Sequence, residues 1–397
     1  MSGAGLAAED EARGSTAPVH PGRGQDVRRQ VRGIGMPRAR LSRVWLLAGT
    51  MALSALLSWC HGLRPVHVVW KTELGSDWIH GAAANSTAAF LSAGYPFQDR
   101  ARLYKVRLSD GSKEWEVRLP EEGTSVCADE GLVCVVLKWE ELWVLSAETG
   151  AVQWRFGGVS GIQAPACCSG RVVVPAKGEP HGGLVALDER DGRPVWRAPS
   201  VLHFTPDARG RALFAWGPSE LCRIAPGTGA IVWRRTDLAS PDDVMSSEGD
   251  LYVIGGGHVV CIDPETSEVR WRRPCGDDLL QAPLSPEQRA NVVVAAGNGT
   301  AATCWDGRTG QLRWQWSANA ARREDIRAVW TWDRFVLSYR HDKRLGMDGY
   351  FLCWHDPSDG AFLGSLDCAA PVLVPSRDGL VIGDETGRVM LVRPADG

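Results

Sequence analysis

One six-residue pattern does most to limit how this chain can fold. A turn pair, Asp-Gly or Thr-Gly, is followed four positions after the Gly by Trp: DGSKEW ends at Trp115, TGAVQW at Trp154, DGRPVW at Trp196, TGAIVW at Trp233 and TGQLRW at Trp314. TSEVRW, ending at Trp271, carries Ser267 in place of Gly, and DGAFLG carries Gly364 in place of Trp. Counting Trp70 as the first anchor, successive anchors lie 37 to 50 residues apart, the period of propeller blades. Eighteen Trp against five Tyr and eight Phe is the surplus that one structural role, used repeatedly, would create.

A second feature recurs between the anchors. Short apolar runs appear as AAFLSAG (88–94), GLVCVVL (131–137), RVVVPAK (171–177), ALFAWGP (212–218), DLYVIGG (250–256), NVVVAAG (291–297), RFVLSYR (334–340) and GLVIGDE (379–385). Such runs read as strands buried on both faces. A third strand, as in LVALDERDG, leads into each turn, where Gly supplies the positive φ of a tight hairpin. Units of this kind cannot bury both faces alone, so they are expected to pack radially into a ring. The last unit ends at Gly397 without a final strand, while VHVVWKTEL, carrying Trp70, stands 45 residues before Trp115 with no unit ahead of it. The expected fold is therefore all-β: a single eight-bladed propeller over 65–397, closed by the amino-terminal strand pairing with the strand near 388–393. Closure removes the open edges that invite aggregation.

Ahead of the propeller, residues 1–43 hold eight Arg and four acids and read as a disordered basic tail. Met36 is an alternative start. Val44 to Trp59 is uncharged for 16 residues, directly after Arg38, Arg40 and Arg43. A bilayer span takes about 20 residues, so 44–63 reads as a membrane-targeting helix, either an anchor or a signal segment. Basic flanking residues put the tail inside and the propeller outside the cytoplasm. Leu57-Ser58-Trp59-Cys60 resembles a bacterial lipoprotein processing site, with Trp59 where a small residue belongs, and makes Cys60 a candidate for lipidation.

Removing the tail's net +4 from the overall −3 leaves −7 on the rest of the chain, a poor match for nucleic acid. Eleven Cys, with no Cys-x-x-Cys, lack the spacing of zinc, thioredoxin-type and haem sites. The adjacent pair Cys167-Cys168 lies in or beside a strand and reads as packing in preference to redox chemistry. His80, His203, His258 and His341 share no metal spacing. Asn85-Ser-Thr and Asn298-Gly-Thr fit the glycosylation acceptor pattern, relevant only in a eukaryotic secretory pathway.

The repeat resembles that of the quinoprotein-type propellers, whose blade motif runs Ala-x-Asp-x-x-Thr-Gly-x-x-x-Trp; LVALDERDGRPVW, with Ala186, Asp188, Gly192 and Trp196, is the best copy. The likeness covers 65–397, and the family includes BamB-like members and quinoprotein alcohol dehydrogenases. It implies that Trp70, Trp115, Trp154, Trp196, Trp233, Trp271 and Trp314 pack against the motif of the next blade, buried between blades. A dehydrogenase of this family would hold pyrroloquinoline quinone with calcium, and some place a vicinal disulfide beside the quinone. Here units average 42 residues, little beyond four strands and their turns, and no calcium-ligand spacing is visible. The strand starts Gln163-Ala-Pro165, Gln281-Ala-Pro283 and Ala370-Pro371 are expected near the channel mouth, without a catalytic residue that can be named. The resulting expectation is a membrane-tethered, non-catalytic scaffold without cofactor, held through 44–60 and binding other membrane or envelope proteins. A quinone-dependent dehydrogenase and a small-ligand sensor are the alternatives.

Overall fold

The computed structural model describes residues 65–395 apart from short internal stretches, the longest being 95–100, 281–291, 318–323 and 343–348. Every regular element among the described residues is a β-strand, and none of them is a helix able to cross a membrane. The basic tail, the apolar run 44–60 and Cys60 lie outside the described residues.

Seven blades follow one another along the chain, each a sheet of four consecutive antiparallel strands: 78–118, 123–157, 166–199, 203–235, 243–274, 279–317 and 324–367. Blade 2 shows the logic. Its second strand, Leu132–Leu137, is buried at all six positions because neighbouring blades cover both faces. Its fourth strand, Val152–Gly157, exposes alternate residues at the rim. Charged side chains along such rims, as in Lys113–Arg118 and Val269–Pro274, discourage edge-to-edge pairing.

The hairpin between third and fourth strands is the repeating device. In every blade the register slips by one residue next to the anchor position: Trp154 pairs with Val144 and the shift falls between Val144 and Leu145, while in blade 7 Gly364 pairs with Trp354 and the shift follows it. Such bulges bend the strand and fix the direction of the side chain. The anchor then reaches the next sheet's hairpin. Trp271 of blade 5 donates Nε1–H to the Gly307 carbonyl of blade 6 at 2.8 Å, and its ring lies on Gly310. A Cβ on Gly310 would sit 2.6 Å from that ring, and the residue has φ +64°, so both space and backbone call for glycine. Ser267 occupies the equivalent turn of blade 5 at φ +64°, an L residue held in the left-handed region.

Apolar clusters bridge each pair of neighbours around the ring. The first strands of neighbouring sheets adjoin at its centre. Between blade 7 and blade 1 stands one further four-stranded sheet, made of Val372–Ser376, Gly379–Gly383, Arg388–Pro394 and, from the other end, Val66–Glu73. Trp70 pairs with Leu391 and Thr72 with Val389.

The expectation of eight blades is thereby corrected, while the expected membrane helix, 44–63, lies outside the described residues. Seven repeat blades are present, and the closing sheet is a composite of two distant segments. A repeat blade is defined by its third-to-fourth hairpin, the part that receives a neighbour's Trp; the composite sheet has none, because its outer strand arrives from elsewhere in the chain. The count reached eight by including GLVIGDE, a second strand without such a hairpin.

Candidate functional site

Antiparallel order sends the first-to-second and third-to-fourth turns of every blade to one end of the ring, the turn end. There the ends of blades 4 and 5 part to leave a cleft of about 340 Å³. The blade 4 wall carries Arg209 and Arg211, and the blade 5 wall carries Ser246, Ser247, Glu265 and Arg270.

Local chemistry holds these loops rigidly. Asp207 Oδ1 accepts from the backbone N–H of Arg211 at 2.5 Å and of Ala212 at 3.1 Å, closing the turn that presents both arginines. Asp263 Oδ1 accepts from the N–H of Thr266 at 3.0 Å and of Glu265 at 2.9 Å. Those bonds, with Arg270 on Oδ2 at 2.5 Å, pull the Asp263 carboxyl down to about 2. Arg270 also bonds the buried Asp250, so its charge is spent within the wall. Glu265 is held by Arg223 of blade 4 at 2.5 Å across the junction. Arg209 and Arg211 are exposed and have no ion pair among the described residues. The cleft therefore offers two available guanidinium groups over hydroxyls, a surface for carboxylates or backbone carbonyls of an extended segment.

The seven anchors distribute around the ring, one at each junction except that between blade 7 and the closing sheet. Each indole N–H donates to a backbone carbonyl of the following sheet: Trp70 to Leu108, Trp115 to Ala147, Trp154 to Glu189, Trp196 to Pro226, Trp233 to Pro264, Trp271 to Gly307 and Trp314 to Pro357. Trp70, Trp271 and Trp314 are buried, whereas Trp115, Trp154, Trp196 and Trp233 are half-buried.

Other expected residues separate. His80, His203 and His258 belong to blades 1, 4 and 5. Asn85 uses its amide within the protein, Nδ2 donating to Asp129 O at 3.2 Å and Oδ1 accepting from Ala88 N at 2.9 Å. Asn298 and Gln281-Ala-Pro283 lie outside the described residues. Gln163 clamps the backbone N–H and carbonyl of Phe204 across blades 3 and 4. Ala370 N–H donates to Tyr339 Oη at 2.7 Å. Cys167 and Cys168 point into different junctions, Cys168 toward blade 4 and Cys167 toward blade 2.

Sequence reading passed over His355. It is buried between blades 6 and 7, its ring 4.2 Å from that of Trp316 and its Nε2 2.9 Å from Ser338 Oγ. Burial, reinforced by Arg340, lowers its pKa to about 3 and keeps it neutral. The cleft was missed as well, because its arginines come from loops with no motif.

A family model described as Outer membrane protein assembly factor BamB matches residues 67–210 and 218–397. The outer membrane protein assembly factor BamB of Burkholderia pseudomallei (strain K96243) is 26% identical over 340 residues, covering 82% of this chain and 76% of that protein. Among solved structures, BamB from Moraxella catarrhalis superposes with a TM-score of 0.62 at 17% identity, covering 84% of this chain and 99% of that one. Quinohemoprotein alcohol dehydrogenase from Comamonas testosteroni gives a TM-score of 0.58 at 12% identity, over 84% and 78%. At such identities the structural likeness concerns the fold.

Proposed function

Because the chain belongs to the family of the outer membrane protein assembly factor BamB, with its PQQ-like repeat propeller, we propose that it is a non-catalytic scaffold for outer-membrane protein assembly. In this reading it works in the periplasm beside the membrane, tethered through 44–60 or through a lipid on Cys60. The observation that carries the reading is the family match across nearly the whole ring. The cleft between blades 4 and 5 supplies a physical means. Its loops are fixed by Asp207, Asp263 and the Arg223–Glu265 pair, so little ordering entropy is lost when a partner docks. Arg209 and Arg211 would meet carboxylates or carbonyls of an assembly protein and orient it by charge.

A photocrosslinking residue at Arg211 in the full chain, in its own cells, tests the proposal. The expected adduct is a protein of the outer-membrane assembly apparatus, lost when Arg209 and Arg211 are both changed to Glu. An adduct pattern free of envelope proteins would overturn it. So would saturable uptake of pyrroloquinoline quinone with dye reduction on alcohols, which would place the chain with the dehydrogenases.

A further inference from the structure

Three cysteines converge where blades 2 and 3 meet near the ring centre. Cys127, in the first strand of blade 2, stands directly opposite Cys134 of the second strand. Cys167 comes from the first strand of blade 3. Its sulfur lies 3.3 Å from that of Cys127 and 3.8 Å from that of Cys134. All three sulfurs fall within 4.8 Å of one another, and among the described residues no His, Asp or Glu joins them.

From this geometry we propose that Cys127, Cys134 and Cys167 form a three-sulfur site for a soft monovalent cation, Cu(I). A metal bonded to three sulfurs at about 2.3 Å holds them roughly 4 Å apart, close to the spacing already present. Zn(II) asks for a fourth donor, whereas Cu(I) is favoured by soft thiolates. Cys134 belongs to an apolar cluster with Val136, Val144, Val172 and Val174, against which the partly buried Cys127 and Cys167 pack. Cys134 is buried, while Cys127 and Cys167 are only half-buried, so the site is partly accessible. Loading is ligand exchange: Cu(I) leaves a thiol or thioether donor, Cu–S bonds form, and the displaced thiol protons pass to water with no change of oxidation state.

The test uses the full chain, reduced and anaerobic, titrated with Cu(I) in competition with bicinchoninate. Wild-type protein should hold one equivalent at least tenfold more tightly than the variant with Cys127→Ser, Cys134→Ser and Cys167→Ser. X-ray absorption should show three sulfur neighbours at about 2.3 Å. Should the triple variant not fold, iodoacetamide labelling of the wild type decides: bound Cu(I) must protect Cys127 and Cys167. Unchanged labelling, retention of Zn(II) in place of Cu(I), or isolation of a Cys127–Cys167 disulfide would each overturn the proposal.

Discussion

Two junctions of the ring differ in kind. Between blades 5 and 6, Trp271 is buried on Gly310 and bonds the Gly307 carbonyl at 2.8 Å. Between blade 7 and the closing sheet, the anchor position is Gly364, and the sheet it faces has no hairpin between its third and outer strands. Anchor and turn are thus two halves of one device, and where one half is missing so is the other. Gly364 is a consequence of how the ring is closed. That junction uses other contacts: Arg334 Nη2 donates to Ala395 O at 2.7 Å, and Trp354 fills the core.

The largest expected effect comes from removing Val66–Glu73. That deletion takes Trp70 from the cluster shared with blade 1 and strips the partner from Arg388–Pro394. The prediction is loss of a single cooperative unfolding transition in urea, and a variant that still melts as one unit at the wild-type midpoint would refute closure by this strand. Next in size is Trp271→Ala, expected to cost about 3–5 kcal/mol through the cavity left behind. Chemical denaturation measures it, and a loss below about 1 kcal/mol would mean the anchors do not hold the blades.

Gly310→Ala comes third, at about 1–3 kcal/mol from forcing a side chain into the left-handed region against the Trp271 ring. Ser267→Gly is its control and should cost nothing. Arg334→Ala, at the other junction, should cost no more than about 1 kcal/mol, the usual size of one hydrogen bond at an exposed site. The smallest effect sharpens the comparison most. Gly364→Trp should change stability by less than about 0.5 kcal/mol, because no turn awaits the ring. A gain of the size lost in Trp271→Ala would show that a receiving surface exists after all.

Much of the frame was legible in the sequence because its signal is local. A Gly with positive φ four residues before a Trp is a hairpin, and repetition at a fixed period turns hairpins into a ring. The closing strand with Trp70 was legible as the partner of 388–393, but the blade count went astray on GLVIGDE, which reads as a repeat unit although no third-to-fourth hairpin follows it. The candidate sites were harder, since their residues meet only through the fold. Arg209 and Arg270 face one cleft because two blades splay, and nothing beside either residue announces that. Cys127 and Cys167 were separable from the other cysteines in principle: 40 residues apart, about one period, they had to lie on neighbouring blades. A search for short-range ligand spacing could not find them.

The composite sheet also sets a timetable for the newborn chain. Val66–Glu73 is made roughly 315 residues (388 − 73) before its partner Arg388–Pro394. At 5–20 residues per second the wait is ~15–60 s, far longer than hairpin formation. Throughout that interval a strand with exposed backbone donors and an apolar face must avoid its neighbours on other ribosomes. A binder of extended apolar segments that covers the strand during this interval would favour ring closure over pairing between chains.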